Sequence, residues 1–179
     1  MKVLAIAAVL LVSRTLAAQA LPDIRPGETC EKLRATYGTE SSVEGPAHVW
    51  KQGAVKITVL VKPNGPCIAG AAQYSVEPGR TLATRDGVIL GSDTTASAAL
   101  KLKGRINNTS YYFLRGEGKA YAMLEVPPSA TFPFKGTYGW LLNQATTEKL
   151  KAPPTFADFT SEPVTFYSVD TPDPQGVTR

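Results

Sequence analysis

The chain is poor in metal-binding and nucleophilic side chains. Its 179 residues include one histidine, His48, and two cysteines, Cys30 and Cys67. A zinc site built on two or three histidines, or on four Cys and His ligands, cannot be assembled from that inventory. A Ser-His-Asp triad has only His48 to use, and no Gly-x-Ser-x-Gly elbow or Ser-x-x-Lys motif supplies a nucleophile. There is no Cys-x-x-Cys redox motif and no glycine-rich loop that would cradle phosphate. The sequence therefore calls for no cofactor and no metal, and it identifies no catalytic residue.

Clustered charge is also missing. Lys and Arg number 19 against 15 Asp and Glu, a formal net of +4, and no run of four basic residues occurs. Phosphate backbones are gripped by a concentrated basic face, so nucleic acid is not an expected partner. Beyond the N-terminus, no apolar stretch reaches the 18 residues or so that a membrane-spanning helix needs.

The N-terminus itself reads as an address. Lys2 is followed by an unbroken apolar run from Val3 to Val12, and Ala18-Gln19-Ala20 places small residues at −3 and −1. This is the pattern of a secretory signal peptide over residues 1–20, cleaved after Ala20. A helix of ten residues rises only about 15 Å, half the hydrocarbon core, and Arg14 interrupts any extension. The expected location is secreted or periplasmic, with no stable membrane insertion after cleavage. Without Lys2 and Arg14 the basic count falls from 19 to 17 against 15 acidic residues, a net of +2. Export also bears on the cysteines. Two of them in an oxidising compartment predict a Cys30–Cys67 disulfide, the alternative being two free buried thiols.

The rest of the chain, 21–169, reads as one α+β domain of antiparallel sheet with a few short helices, followed by a disordered tail over 170–179. Thr29 is a candidate N-cap for a helix through CEKLRATY, Glu31 suits its first turn, and Gly38 suits its C-terminal cap. Strands are expected over 47–52, 54–62 and 67–76. In the second of these, Val55, Ile57, Val59 and Val61 alternate with Lys56, Thr58, Leu60 and Lys62, which predicts one buried face. Asp93 or Thr94 could cap a second helix through ASAALKLK. TSYYFLR and KAYAMLEV then read as a hairpin, 127–137 as a proline-rich connection, 138–151 as a final helix and 163–169 as a short strand. Helix-then-strands thus occurs twice, in possible repeat units 23–76 and 84–126.

The residues Ile24-Arg25-Pro26-Gly27-Glu28-Thr29, then Leu33 and Tyr37-Gly38, resemble the opening of the small-protein-A/outer-membrane-lipoprotein-A type of envelope domain. That type shares its shape with β-lactamase-inhibitor-protein-like domains. Gly27, Thr29, Leu33 and Gly38 carry the likeness, and Gly91, Asp93 and Gly104 match it loosely in the second unit. The resemblance implies tandem units of helix on antiparallel sheet and a binding or scaffolding role. The chain departs from it in lacking a lipid-attachment cysteine after the signal and a second helical segment in each unit.

Individual chemistries find little support. His48 reads as a structural strand histidine. Asp86-Gly87 reads as a turn, because Asp86 and Asp93 lack the spacing of a calcium loop. Glu28 and Glu31 read as solvated first-turn carboxylates. Aromatics carry more information, with twelve of fifteen at or after Tyr111. Both faces of TSYYFLR are apolar, so either the C-terminal segment packs on the second face or that face meets a partner. Tyr112, Tyr121 and Trp140 are the candidate binding residues. The expected function is a non-enzymatic envelope or extracellular binding module with a protein partner. The alternatives are an envelope hydrolase using carboxylates and a structural surface protein.

Overall fold

The computed structural model describes residues 19–62, 65–114, 119–141 and 155–171. The N-terminal helix forms as its caps dictate. Thr29 is extended, and its hydroxyl accepts from the Lys32 N–H at 3.2 Å. The helix α1 (Cys30–Tyr37) then runs to Gly38, whose φ of 80° only glycine adopts without strain and whose N–H returns to the Arg34 carbonyl. Its buried face is Cys30 and Leu33.

A short β1 (Gln19–Ala20) precedes α1, and four strands follow the helix, β2 (Ser42–Glu44), β3 (Ala47–Gln52), β4 (Val55–Val61) and β5 (Ala69–Val76). The β4 alternation is realised at Val55, Ile57 and Val59, which are buried, whereas Val61, past a register shift at Leu60, is only partly buried. Two short strands, β6 (Leu82–Ala83) and β7 (Ile89–Leu90), lead to α2 (Thr95–Lys101), which is capped by Thr94. The chain then gives β8 (Asn108–Leu114), β9 (Lys119–Val126), β10 (Lys135–Leu141), a single turn α3 (Phe156–Phe159) and β11 (Phe166–Asp170).

Eight strands join in one sheet of order β2-β3-β4-β5-β11-β10-β9-β8, every neighbouring pair antiparallel. The fold is α+β, mostly antiparallel sheet with few short helices. A second sheet of β1, β6 and β7 contains the parallel pair Gln19–Ala20 with Leu82–Ala83. Register places Trp50, Ile57, Tyr74, Tyr167, Tyr138 and Leu124 side by side across six strands of the large sheet. All six are at most 1% exposed, and with Leu33, Leu82, Leu90 and Leu102 they form one continuous core. No described helix is long and apolar enough to cross a membrane.

Three expectations need correction. Residues 138–141 are strand, not the start of a helix. Tyr138 and Trp140 point into the core while Gly139 leaves the opposite face bare for the Phe166 ring, whose nearest atom would lie 2.0 Å from an added Cβ. That is a period of two, and the leucine spacing that suggested a helix runs on into 142–154, outside the described residues. Strands of the second helix-then-strands set also continue past Val126, through β10 and β11. Asp170 ends β11 rather than opening a tail, and β11 starts at Phe166 rather than 163, since Pro163 bridges Thr94 and the Val164 N–H donates to Asp93. Residues 1–18 of the expected signal segment 1–20, and 172–179 of the expected tail 170–179, lie outside the described residues, whereas Gln19 and Ala20 form β1.

Candidate functional site

A cavity of about 350 Å³ opens at one end of the buried sheet face. Its walls come from the 84–87 turn, the segment after α2, the β9–β10 connection and β11. Arg85, Asp86 and Arg105 supply two cations and one carboxylate. The Asp86 side chain is 8% exposed and pairs with Arg105, whose guanidinium is held more strongly protonated by that contact. The Tyr138 hydroxyl donates to Asp86 at 2.6 Å and lies 3.0 Å from Thr84 Oγ1, which itself donates to the Val88 carbonyl. Burial, then the Asp86 charge, pushes the Tyr138 hydroxyl far above its ordinary pKa. Asp86 is thus pinned from both sides, so its turn presents Arg85 to the cavity.

Arg85 stacks on the Phe132 ring, 3.2 Å from Cζ to the ring centre, and reaches the exposed Asp23 at 3.3 Å. A guanidinium so placed gains cation–π attraction while its N–H edge stays available. The Tyr167 hydroxyl, buried, lines the same cavity beside Arg85, and its O–H has no acceptor among the described residues. Burial pushes its pKa up to about 12, against the pull of Arg85, so at neutral pH it is a donor. Gly136 keeps this corner open, since an added Cβ would sit 3.3 Å from that oxygen.

A second cluster lies under α1. The Cys30–Cys67 disulfide is formed, with a Cα–Cα distance of 5.4 Å. His48 Nε2 stands 3.9 Å from Cys67 Sγ, and His48 Nδ1 is 3.0 Å from Glu40 Oε1. Glu40, 5% exposed, is held ionised by hydrogen bonds from Arg34 Nε at 2.9 and 3.0 Å. Those bonds, with help from His48 and against burial, bring its pKa down to about 2. The surrounding cavity, about 590 Å³, is lined by Arg34, His48, Lys62 and Cys67 among others.

The residues expected at a binding surface fall elsewhere. Trp140 is 0% exposed, packed edge-on against Phe159, and its indole N–H has no described partner. It is therefore a core residue and not a surface contact. Tyr112 and Tyr121 are directly paired across β8 and β9, at the β8 edge of the sheet. Their side chains lie outside the described set. Asp86-Gly87 forms the expected turn, and Glu28 is ion-paired with Lys32.

Arg85, Arg105 and Tyr167 were not anticipated, because 20 and 62 residues separate successive members and no local pattern links them. The cavity with arginines offers Asp86 as its one lining carboxylate. A shallower one beside α1 holds two, Asp23 and Glu28, each bound in an ion pair. No protein-family model, curated protein or solved structure matches this chain.

Proposed function

We propose that the chain is an exported, non-enzymatic binding module whose site takes the carboxylate of its partner. The observation that carries this reading is the buried Tyr167 hydroxyl, which finds no acceptor among the described residues and lines one cavity with Arg85 and Arg105. A buried donor without an acceptor costs about 1–3 kcal/mol, a cost that an incoming anion removes. The cavity has the size of a few heavy atoms' side chain, and Phe132 and Phe134 give it an apolar wall. A terminal carboxylate carrying an apolar side chain satisfies both features, which is how many folds capture protein C-termini.

Calorimetry with short apolar-ended peptides, matched as free acids and as amides, tests the reading. Free acids should bind saturably and amides at least about tenfold more weakly, the size expected when a charged hydrogen bond is lost. Tyr167→Phe should weaken the free acids alone. Equal binding of acid and amide, or none of either, rejects the site. Export is tested separately by mass spectrometry of the mature chain, which should begin at Leu21, the Gln19–Ala20 strand leaving with the signal.

A further inference from the structure

The single histidine and both cysteines of the chain meet at one point. Cys30, His48 and Cys67 come from α1, from β3 and from the chain just ahead of β5, yet their ligand atoms all lie within 4.8 Å of one another. We propose that, with the disulfide reduced, these three side chains bind one thiophilic divalent cation of the zinc(II) class. Disulfide and cation are then alternative occupants of the same place, and the oxidation state of the chain decides which is there.

Zinc distances fit the spacing. Bonds of about 2.3 Å to sulfur and about 2.0–2.1 Å to nitrogen put S and N roughly 3.6 Å apart around a tetrahedral ion. His48 Nε2 and Cys67 Sγ already stand 3.9 Å apart. The sulfurs must part to roughly 3.8 Å, which side-chain rotation supplies at a Cα–Cα distance of 5.4 Å. The backbone does not depend on the disulfide for its register. Cys30 N–H donates to the Cys67 carbonyl at 2.9 Å, Ala69 N–H to Glu28 at 2.8 Å and Gly27 N–H to Ala69 at 2.7 Å.

The surroundings are those of a metal ligand set. Glu40 holds His48 by Nδ1, which fixes the ring and leaves Nε2 aimed at the sulfurs. Carboxylate-to-histidine contacts of this kind orient metal-ligating imidazoles. Arg34 in turn fixes Glu40. Two thiolates, Glu40, Arg34 and a dication sum to zero charge, so these groups together are neutral when the site is filled. Two cysteines and one histidine form a known zinc set with one position left open. Here that position faces the cavity of about 590 Å³.

Opening the site consumes two electrons and two protons. A phosphine reductant supplies the electrons and becomes the phosphine oxide, taking oxygen from water, while the S–S bond breaks and both sulfurs are protonated. The cation then displaces the two thiol protons to solvent.

The test reduces the full chain with tris(2-carboxyethyl)phosphine under exclusion of oxygen and titrates it with cobalt(II). One equivalent should bind, with thiolate-to-cobalt charge-transfer bands and the strong visible bands of tetrahedral cobalt. Zinc(II) should bleach them, and the oxidised chain should show neither. Glu40→Gln should weaken binding roughly ten- to hundredfold with the spectrum kept. His48→Ala should weaken it and change the spectrum. Octahedral cobalt without charge transfer, a stoichiometry other than one, or a His48→Ala chain that binds like the parent overturns the proposal. Circular dichroism runs alongside, and a reduced chain that is unfolded and stays unfolded with cobalt also overturns it.

Discussion

In the first half of the chain α1 precedes β2 to β5, and in the second α2 precedes β8 to β11. The two four-strand runs meet edge to edge at β5 and β11. Their anchoring differs. The first half ties its helix to its sheet by a disulfide and by backbone hydrogen bonds at Cys30 and Ala69. The second half has no cysteine. Backbone hydrogen bonds from Thr95 to Glu162 and from Val164 to Asp93 hold the start of α2, and a partly buried polar knot, Tyr138–Asp86–Arg105, adds to them beside the Tyr138–Tyr167 ring pair. A covalent tie acts chiefly on the unfolded chain, whereas a polar knot holds only while every member is present. The first half can therefore lose a bond and keep its shape, while the second presents its arginines only as long as the knot is whole.

Removing the disulfide should have the largest effect. It spans a sequence separation of 37, and the chain-entropy estimate for such a loop is about 4 kcal/mol. Cys30→Ser with Cys67→Ser should lower the denaturation midpoint in urea accordingly, while carboxylate binding at the Arg85 cavity persists. Loss of that binding in the folded double variant would break the division between the halves. Next comes Tyr138→Phe, expected to cost about 1–3 kcal/mol by stripping a buried donor from Asp86. Unlike the disulfide variant, it should also weaken ligand binding, because the turn carrying Arg85 loses its support.

The two tryptophans allow a finer comparison. Trp50 donates its indole N–H to the Gly38 carbonyl at 2.9 Å, whereas the Trp140 N–H has no described acceptor. Both side chains are buried to the same degree. Trp50→Phe should therefore cost about 1 kcal/mol more than Trp140→Phe, measured by matched urea melts. Equal costs would show that packing alone decides both sites.

The sequence was most readable where the signal was local. Thr29 and Gly38 bounded α1, Thr94 capped α2, and the valines of β4 set its buried face. It was least readable where two periods competed, as at Tyr138 to Leu141, where spaced leucines outweighed an aromatic alternation that the sheet uses. Strands of two or three residues, such as β2, β6 and β7, carry too few side chains to show any period. Both candidate sites arise from strand order. Tyr167 reaches Arg85 only because β11 enters the middle of the sheet, between β5 and β10. For His48 a clue existed, since it lies two residues before the buried Trp50 and so shares its face. Nothing local said that Cys30 and Cys67 would meet it there.

Acid should separate the halves with opposite signs. Glu40, in the first, has a folded pKa depressed to about 2 by its hydrogen bonds with Arg34, outweighing burial. Its contribution is fully present above the unfolded value of 4.5 and is lost as pH falls toward about 2. Asp170, at the end of β11, has a raised pKa because burial outweighs Lys135 and Ser168, with Glu125 adding to the rise. Its ionised form therefore works against folding at neutral pH, and protonation relieves that as pH falls through the raised value. Glu40→Gln should accordingly be less stable than the parent at pH 7, with the difference shrinking below pH 4.5. Asp170→Asn should be slightly more stable at pH 7, with its advantage fading on acidification. Urea melts across that range check both, and curves that run parallel at every pH would show that neither carboxyl is coupled to folding through its charge.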